Sequence, residues 1–437
     1  MGNSILDIGV SGLLAAQNQL QITSHNISNI DTPGFNRQRV IQSTNTPQTI
    51  AAGYVGRGVH SASVQRIYSQ FLVSQSLQVQ TQSQSLDTNY AQIKQLDNMF
   101  AEATSGLSPA LQNFFSAIQD VATNPSVVSS RQAMLSNAEA LVSRFQSMDE
   151  RMSQMREGVN TQITSSVVEI NSFANEIAQI NQQIILAEGV SGGEPPNDLL
   201  DQRDDLINQL IKLINTDTVK QSDGSVNVYV GNGHAIVVGS QKLSLETIVS
   251  PDNPDNLTLG LVSANQTIQL PEDQITGGAL GGILAFRRDS LDDAQNALGR
   301  VAMTLAQTFN EQHQLGVDLN GDMGKELFTV SSPKIISAST NNAASNITAS
   351  ISDFGALTTS DYQFSYDGTN YTLTNLSDNS SVSTAVIPSG ATPLTLDGLS
   401  VTGAAILPNE RFLIQPTVNG AKGIAVNITD TTEIAAA

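Results

Sequence analysis

The sequence contains no cysteine and no tryptophan, and charged residues make up only 14% of its 437 positions. Without cysteine the chain has no disulfide, no thiolate nucleophile and no cysteine-based zinc site, and its redox compartment stays undetermined. Lysine and arginine are scarce, at 20 against 40 acidic residues, so the formal net charge is −20 at pH 7. A chain this acidic lacks the basic surface that binds nucleic acids or anionic membranes, and we expect neither partner.

Basic residues and long apolar runs are also missing where a targeting segment would need them. No lysine or arginine precedes Arg37, and polar residues interrupt the apolar positions of the N-terminus. A cleaved secretory signal needs a basic start and an unbroken apolar stretch, so we predict none. No apolar run approaches the length of a membrane-spanning helix. These features are compatible with export by a route that recognises an uncleaved signal.

The N-terminal stretch has the apolar spacing of an amphipathic helix. Steps of three, four and seven residues place an apolar stripe over about residues 4–29, and its members are Leu6, Val10, Leu13, Ala16, Leu20 and Ile27. Gly9 and Gly12 each cost about 1 kcal/mol relative to alanine, so this helix needs a partner. The sequence Thr32-Pro33-Gly34-Phe35 then fits a type II turn, with proline second and glycine third.

Further helical patterns follow along the chain. The longest runs from Met134 to Ile184 with mostly alternating steps of four and three residues, which is typical of a coiled-coil seam. At 1.5 Å per residue it predicts a helix of roughly 80 Å, far longer than a compact domain needs. Other helices are expected over residues 66–100, 109–124, 198–214 and 283–309.

Two regions change from helical to β patterning. Residues 226–238 and 257–270 are rich in Val, Ile, Leu and Thr between turn-forming residues, which predicts strands. Farther on, residues 362–366 and 371–374 flank an Asp367-Gly368 turn, which is a hairpin pattern. The sequence therefore predicts an α+β fold, in which a long helical, coiled-coil-like rod carries inserted and appended β-rich domains.

Two serine motifs resemble parts of known active sites. Residues 189–193 match the G-x-S-x-G pattern of a nucleophile elbow, but a helical pattern precedes them where an elbow requires a strand. Ser331 and Lys334, with Ser377-Asp378-Asn379, imitate two motifs of penicillin-binding enzymes, but the Lys-Thr-Gly element is missing. Both matches are expected by chance in a chain rich in serine and asparagine, and we predict no enzymatic activity.

Metal sites are also not indicated. The sequence Asp318-x-Asn320-x-Asp322 begins like a calcium loop, but Met323 replaces the required glycine and Thr329 replaces the bidentate glutamate. The four histidines, His25, His60, His234 and His313, lack the spacing of metal ligands. We therefore predict no metal ion and no cofactor.

Several motifs together resemble proteins of the bacterial flagellum. Residues 11–18, Asn26-Ile-Ser-Asn29 and residues 32–37 are similar to the N-terminal signature shared by rod, hook and hook-associated proteins. A second set of segments lies farther along: residues 124–126 with 131–132, 198–204, 286–289, 310–313, 316–321, the hairpin around Phe364, and 410–416. Together these segments resemble the family of first hook-associated proteins, which form the hook-filament junction, and the resemblance covers nearly the whole chain.

The resemblance implies a structural, non-enzymatic subunit that joins hook to filament. In the family, subunits form a short helical ring, with terminal helices lining the export channel and β domains facing outward. They leave the cell through the flagellar type III export apparatus without a cleaved signal and are extracellular. The implied partners are further copies of the chain, the hook protein, other hook-associated proteins and the export apparatus. Residues expected at subunit contacts are Leu6, Val10, Leu13, Ala16, Leu20, Asn26, Ile27, Asn29, Thr32, Gly34 and Phe35.

The implied organisation has five parts. They are an N-terminal polymerisation helix with an extended linker (1–65), a helical rod (66–216), a β-rich segment (217–276), a returning helix (277–315) and a distal β-rich domain (316–437). One departure from the family follows Gly423, where no apolar heptad is present although the family's C-terminus returns as a long helix that pairs with the N-terminal one. We therefore expect this helix to be lacking, and the chaperone site that the family carries there stays open.

Two alternative functions remain at this point. Another axial flagellar protein, such as hook or distal rod, would share the N-terminal signature. A secreted adhesin would share the β-rich domains but has no reason to carry residues 1–37. The Met134–Ile184 seam and the Asp198–Asp204 motif favour the junction family.

Overall fold

The computed structural model describes residues 3–101, 106–191, 193–263, 266–403 and 406–436. Its helices follow the apolar periodicities of the sequence, and the predicted 80 Å helix is a continuous helix of 64 residues, α4. A π-helical turn at Arg287–Leu291 lies between α6 and α7. The α-helices are α1 (Asn3–Ser28), α2 (Gln70–Phe100), α3 (Leu107–Thr123), α4 (Val128–Ser191), α5 (Asn197–Leu213), α6 (Gly278–Phe286), α7 (Asp292–His313) and α8 (Gly420–Gly423).

The strands form several small sheets. The first sheets comprise β1 (Gln38–Thr44) with β4 (Val59–Arg66), and β2 (Gln48–Ile50) with β3 (Gly53–Val55). A four-stranded sheet has the order β5 (Thr216–Lys220), β6 (Val226–Val230), β7 (His234–Val238), β8 (Gln241–Lys242). A three-stranded sheet has the order β11 (Gln266–Leu270), β10 (Leu257–Ser263), β9 (Ser244–Val249).

The C-terminal strands form two further sheets. A five-stranded sheet has the order β12 (Lys334–Ser337), β19 (Glu410–Gln415), β14 (Tyr362–Tyr366), β15 (Tyr371–Asn375), β16 (Ser381–Thr384). A three-stranded sheet has the order β13 (Ile347–Ile351), β18 (Leu399–Gly403), β17 (Leu394–Leu396). Buried side chains from both sheets form one core, which includes Phe364, Leu373, Val401 and Phe412.

The chain divides into two compact units. The first unit takes its described residues from 1–87, 164–246 and 259–282, and the second from 88–163, 247–258 and 283–437. The boundaries of these units cut through the helical rod (66–216) expected from the sequence, and the five-part division stays a prediction.

In the first unit, the C-terminal part of α4 supplies buried apolar residues and two asparagines that bind the β segment. The Asn181 side chain donates to the carbonyls of Val226 (2.8 Å) and Gly239 (2.7 Å), and Asn171 donates to the Leu245 carbonyl (2.7 Å). Asn181 also accepts from the Val226 N–H. Because a buried amide that lacks partners is costly, these asparagines fix the strands against the helix.

In the second unit, the predicted seam of α4 is buried. Leu141, Phe145, Met148 and Met152 are all almost completely inaccessible to solvent, as their alternating spacing predicts. An aromatic cluster lies in the same unit, where the rings of Phe114, Phe309 and Phe328 are 5.5 to 5.7 Å apart. The prediction that this stripe does not face water is confirmed.

Close approach of α7 and α8 depends on glycine. A Cβ at Gly299 in α7 would lie 1.8 Å from the carbonyl oxygen of Thr417, and one at Gly420 would lie 2.3 Å from that of Gly299. No side chain fits in that space, so backbone packs directly on backbone in the second unit.

Several helix boundaries differ from the sequence prediction. The second helix begins at Gln70 and not at Arg66, because Arg66 is the last residue of β4 and pairs with Gln38. The longest helix extends beyond the predicted residues 134–184 at both ends, and the helix expected over residues 283–309 is divided into α6, the π-helical turn and α7. The predicted hairpin is confirmed, since Tyr366 pairs with Tyr371 across a turn in which Gly368 has φ of +95°.

Candidate assembly surface

Helix α1 packs on the β1–β4 hairpin through small and polar residues. The Ser11 hydroxyl accepts from the Val59 N–H (3.2 Å), and the Asn18 amide donates to the Ser61 hydroxyl (3.0 Å). Asn26 makes two hydrogen bonds to the backbone of Gln38, as donor to its carbonyl (2.8 Å) and as acceptor from its N–H (2.9 Å). One face of α1 is therefore occupied within the chain.

The apolar stripe of α1 faces solvent. Leu6, Leu13, Leu20 and Ile27 recur every seven residues and are 69%, 70%, 69% and 67% exposed. Val10 is 55% exposed, and Ala16 is also exposed. Burial of each large side chain by a partner would contribute roughly 1.5 to 3 kcal/mol, so four of them leave roughly 6 to 12 kcal/mol unrealised.

The turn after α1 is the predicted type II turn. The Phe35 N–H donates to the Thr32 carbonyl (3.2 Å), and Gly34 has φ of +77°. A Cβ at Gly34 would lie 2.7 Å from the Cβ of Asp205 in α5, so glycine is required here for space as well as for conformation. The Phe35 ring packs edge-on against His25, with 5.4 Å between ring centroids.

The other turn residues expected at subunit contacts make bonds within the chain. The Asn29 amide donates to the His25 carbonyl (3.0 Å), and the Thr32 hydroxyl donates to the Asn29 side chain (3.3 Å). Asn26, Asn29, Thr32, Gly34 and Phe35 thus shape the turn in this structure. Their contact with another subunit stays a prediction.

The carboxylates of helix α5 accept hydrogen bonds from the turn and from the hairpin. Asp201 accepts from the Asn36 N–H (3.0 Å) and the Asn36 side-chain amide (2.8 Å). Arg66 Nη1 donates to Asp201 (2.6 Å) and to Asp204 (2.9 Å). The Gln38 amide donates to Asp198 (2.8 Å). The N-terminal motif at residues 32–37 and the α5 motif at residues 198–204 therefore bind each other through Asn36 and Asp201.

Two charged residues of the α5 motif, Asp201 and Arg203, are buried, whereas Asp204 is half-buried and Asp198 is exposed. Asp201 and Arg203 are only 5% and 3% exposed. Arg203 donates to the Gly224 carbonyl (2.7 Å), and burial lowers its pKa. Burial alone would lower the pKa of Arg66 as well, but the hydrogen bond to Asp201 and the charge of Asp204 raise it instead.

Sequence reasoning missed Gln38 and Arg66 as members of this network. Arg66 is one of only four cations among the first 93 residues, and it lies at the end of an extended stretch. In a segment so poor in charge, a single arginine next to apolar positions is a signal for a specific acidic partner. The sequence did not indicate which acidic residue would be that partner.

A cleft of about 480 Å³ opens between the turn, α4 and α5. Half-buried Phe35, Ile180 and Leu206 contribute its apolar lining. Glu176, Asp198, Asp201 and Asp205 make its lining acidic. The cleft therefore combines an apolar floor with negative charge.

The serine motifs and the carboxylate loop have structural roles. Ser191 donates to the Glu194 carbonyl (2.8 Å) and Ser331 to the Asn419 carbonyl (3.0 Å), while Gly192 of the first motif lies outside the described residues. Asp318 accepts from the N–H groups of Asn320 (2.8 Å) and Asp322 (3.0 Å), as in an Asx turn.

Within the ranges that the structure describes, no group of three or more His, Asp or Glu side chains is placed to hold a metal ion. Among the helices described, none has the length and apolar content needed to cross a bilayer.

Family models match the chain in three places. A model of the flagellar hook-associated protein FlgK helical domain matches residues 93–328, which is more than half of the chain. A model of the D2-like domain of flagellar hook-associated protein 1 matches residues 336–416. A model of the flagella basal body rod protein matches residues 6–36, the region of α1 and the turn.

Individual relatives agree with these models. Flagellar hook-associated protein 1 of Salmonella typhimurium is 36% identical over the full chain, which covers 79% of that protein, and the Escherichia coli protein of the same name is 35% identical with 80% covered. The solved structure of the flagellar hook junction protein FlgK from Burkholderia pseudomallei matches with a TM-score of 0.75 at 36% identity. That match covers 82% of this chain and 65% of the Burkholderia chain. The chain therefore belongs to the family of the flagellar hook-associated protein FlgK.

Proposed function

We propose that this chain is a structural subunit at the junction of the flagellar hook and filament, and that it assembles through the exposed stripe of α1. The observation that carries the proposal is the difference between the two faces of α1. One face is bonded to the hairpin, while Leu6, Leu13, Leu20 and Ile27 remain exposed at a seven-residue repeat. A heptad stripe of this kind is the sequence pattern of a helix that packs on another helix.

The glycines of α1 support the same interpretation. Among the described residues, a Cβ at Gly9 or at Gly12 would meet no atom within 4 Å apart from its neighbours in α1. Glycine in a helix interior nevertheless costs about 1 kcal/mol relative to alanine. Since no contact among the described residues requires these glycines, we propose that they allow another helix to approach α1 closely.

The remaining parts of the proposal follow from family membership. Relatives of this chain are named flagellar hook-associated proteins, and the Burkholderia relative is a flagellar hook junction protein. We propose that the chain has no enzymatic activity, that it leaves the cell through the flagellar export apparatus without a cleaved signal, and that it functions outside the cell. Its proposed partners are further copies of itself, the hook protein and other hook-associated proteins.

The test is a complementation experiment with two matched variants. Leu13→Ser/Leu20→Ser removes two exposed residues of the stripe, and Val168→Ser/Leu186→Ser removes two exposed residues of α4. Each pair is expressed in a strain that lacks the gene for this chain. We expect the α1 variant to fold with a near-normal unfolding curve but to be absent from isolated hook-filament structures, whereas the α4 variant is incorporated. Normal incorporation of the α1 variant would contradict the proposal.

A further inference from the structure

Charge is distributed unevenly between the N-terminal module, residues 3–66, and the rest of the chain. The first 66 residues contain four arginines and two aspartates, which leaves 16 of the 20 cations and 38 of the 40 carboxylates for the remainder. Copies with a net charge of −20 repel one another when they assemble. A contact that sets the basic module of one copy against an acidic surface of the next would relieve this repulsion.

The basic edge of the module consists of Arg37 and Arg39. Both side chains are exposed, and within the described parts of the chain neither has a carboxylate within 4 Å. Between them in the sequence, Gln38 sends its side chain to Asp198 of α5. Arg37 directly precedes β1, and its carbonyl accepts from the Ile67 N–H, which continues the pairing of the hairpin by one residue. Since side chains alternate along extended backbone, Arg37 and Arg39 lie on the side opposite to Gln38 and point away from α5.

The acidic cleft between the turn, α4 and α5 is lined by carboxylates, most of which are not paired with any arginine or lysine that the structure describes. Within the described ranges, Glu176 and Asp205 have no cationic partner, and the one basic side chain near Asp198 is His25, at 3.3 Å. Asp201 is already paired with Arg66. An arginine side chain suits this cleft because its aliphatic stem covers apolar surface such as Ile180 and Leu206 while its guanidinium binds carboxylates.

We propose that the acidic cleft of one copy receives the Arg37–Arg39 edge of a second copy, an inference that rests on the proposed function. A copy cannot fill its own cleft this way, because its arginines lie on the strand face opposite to α5. The contact therefore joins two different surfaces, and such head-to-tail contacts propagate around a ring or along a helix. It adds a polar, register-setting contact to the apolar stripe of α1.

Two charge-reversal variants test this contact. The hairpin variant is Arg37→Glu/Arg39→Glu. The cleft variant is Glu176→Lys/Gln179→Lys/Gln183→Lys, whose three exposed positions line the cleft along one side of α4. Arg57→Glu, at another exposed arginine of the module, is the matched control. Assembly of the purified full chains is followed by sedimentation velocity, and folding by circular dichroism.

We expect the assembled fraction of each variant alone to be at least about tenfold lower than that of the wild type, because like charges then face each other. An equimolar mixture of the two variants should recover assembly, since the reversed hairpin fits the reversed cleft and the two unaltered surfaces also fit. Arg57→Glu should assemble like the wild type. Misfolding cannot produce recovery in the mixture.

Three outcomes would overturn the inference. They are normal assembly of either variant, a mixture that stays unassembled, and a wild type that remains monomeric at the highest accessible concentration. The stripe variant Leu13→Ser/Leu20→Ser separates this result from the proposed function. If that variant fails to assemble while both charge variants assemble normally, the proposed function stands and only the second contact is wrong.

Discussion

Arg66 and Asp201 lie 135 residues apart in the sequence, and the Arg66 guanidinium donates to the Asp201 carboxylate at 2.6 Å. Arg66 ends β4 and Asp201 lies in α5, so this bond closes the hairpin onto the helix. The same carboxylate also holds the backbone and side chain of Asn36, directly after the turn. Asp201 therefore binds both the end of the hairpin and the residue after the turn, and it holds both against α5.

Replacement of Asp201 is expected to destabilise the first unit. Asp201→Ala leaves the half-buried Arg66 with one of its two carboxylates and removes the carboxylate that accepts from the Asn36 N–H and side-chain amide. Loss of one member of a buried charged network predicts a decrease of about 2 to 4 kcal/mol in the free energy of unfolding. Urea unfolding measures the change, and Asp217→Ala, at an exposed strand position, is the control. Equal unfolding midpoints for the two variants would show that the network contributes little.

Replacement of Gly34 tests the turn. Gly34→Ala places a Cβ 2.7 Å from that of Asp205 and forces alanine to φ of +77°. We expect a loss of about 1 to 3 kcal/mol from backbone strain, with additional displacement of the turn from α5. Gly9→Ala, where a Cβ meets nothing within 4 Å in a helix, should instead leave the monomer as stable or about 1 kcal/mol more stable. Opposite signs for the two variants in thermal unfolding are the expected result.

Asp361 makes the second unit sensitive to pH. Its carboxylate accepts from Asn296 (2.9 Å) and Gln415 (2.8 Å), and burial raises its pKa from 3.8 to about 6, with Asp292 adding to the shift and Arg156 opposing it. Because the folded pKa is higher than the unfolded one, the protonated form favours the fold. The contribution of protonated Asp361 to the free energy of unfolding is fully present below pH 3.8 and is lost as the pH rises through about 6.

The matching variant is Asp361→Asn, which cannot ionise. We expect it to be about 1 to 3 kcal/mol more stable than the wild type at pH 7.5 and nearly equal to it at pH 4. Chemical denaturation at the two pH values measures this difference. A variant that is less stable at both would show that the carboxylate's hydrogen bonds outweigh its desolvation.

His313 predicts the opposite pH response for the C-terminal segment. Its Nδ1 donates to the Lys325 carbonyl (2.6 Å), and its Nε2 accepts from the Ala435 N–H (2.8 Å), which requires a neutral ring. Burial, with Arg131 adding to the effect, lowers the pKa of His313 below its ordinary 6.5. The neutral ring therefore stabilises the fold above pH 6.5, and this contribution is lost as the pH falls through the lower folded pKa.

Hydrogen exchange measures this effect directly. After correction for intrinsic rates, the Ala435 amide should lose protection between pH 7 and pH 5, and the loss should be absent in His313→Gln. The control is His60→Gln, at an exposed histidine elsewhere in the chain. Constant protection across this pH range would show that the segment is held by other contacts, such as those of Arg131 to Thr431 and Ile434.

Local patterns determined much of this protein from the sequence alone. The steps of three and four residues from Met134 to Ile184 predicted α4, and the Asp367-Gly368 turn between alternating residues predicted the β14–β15 hairpin. The pairing of proline and glycine in residues 32–35 predicted the turn after α1. These features were readable because each depends on residues within one or two turns of one another, and because family motifs lie within such segments.

Tertiary structure decided which surfaces remain free. The stripe of α1 was visible in the sequence, but its exposure follows from the choice of the opposite face, with Ser11, Asn18 and Asn26, to pack on the hairpin. The end of β4 at Arg66 and the pairing of that arginine with Asp201 also lay beyond local reasoning. Bonds between residues more than a hundred positions apart have no periodic signature, because their partners are selected by the folded chain's geometry and by the cost of leaving buried charges unpaired.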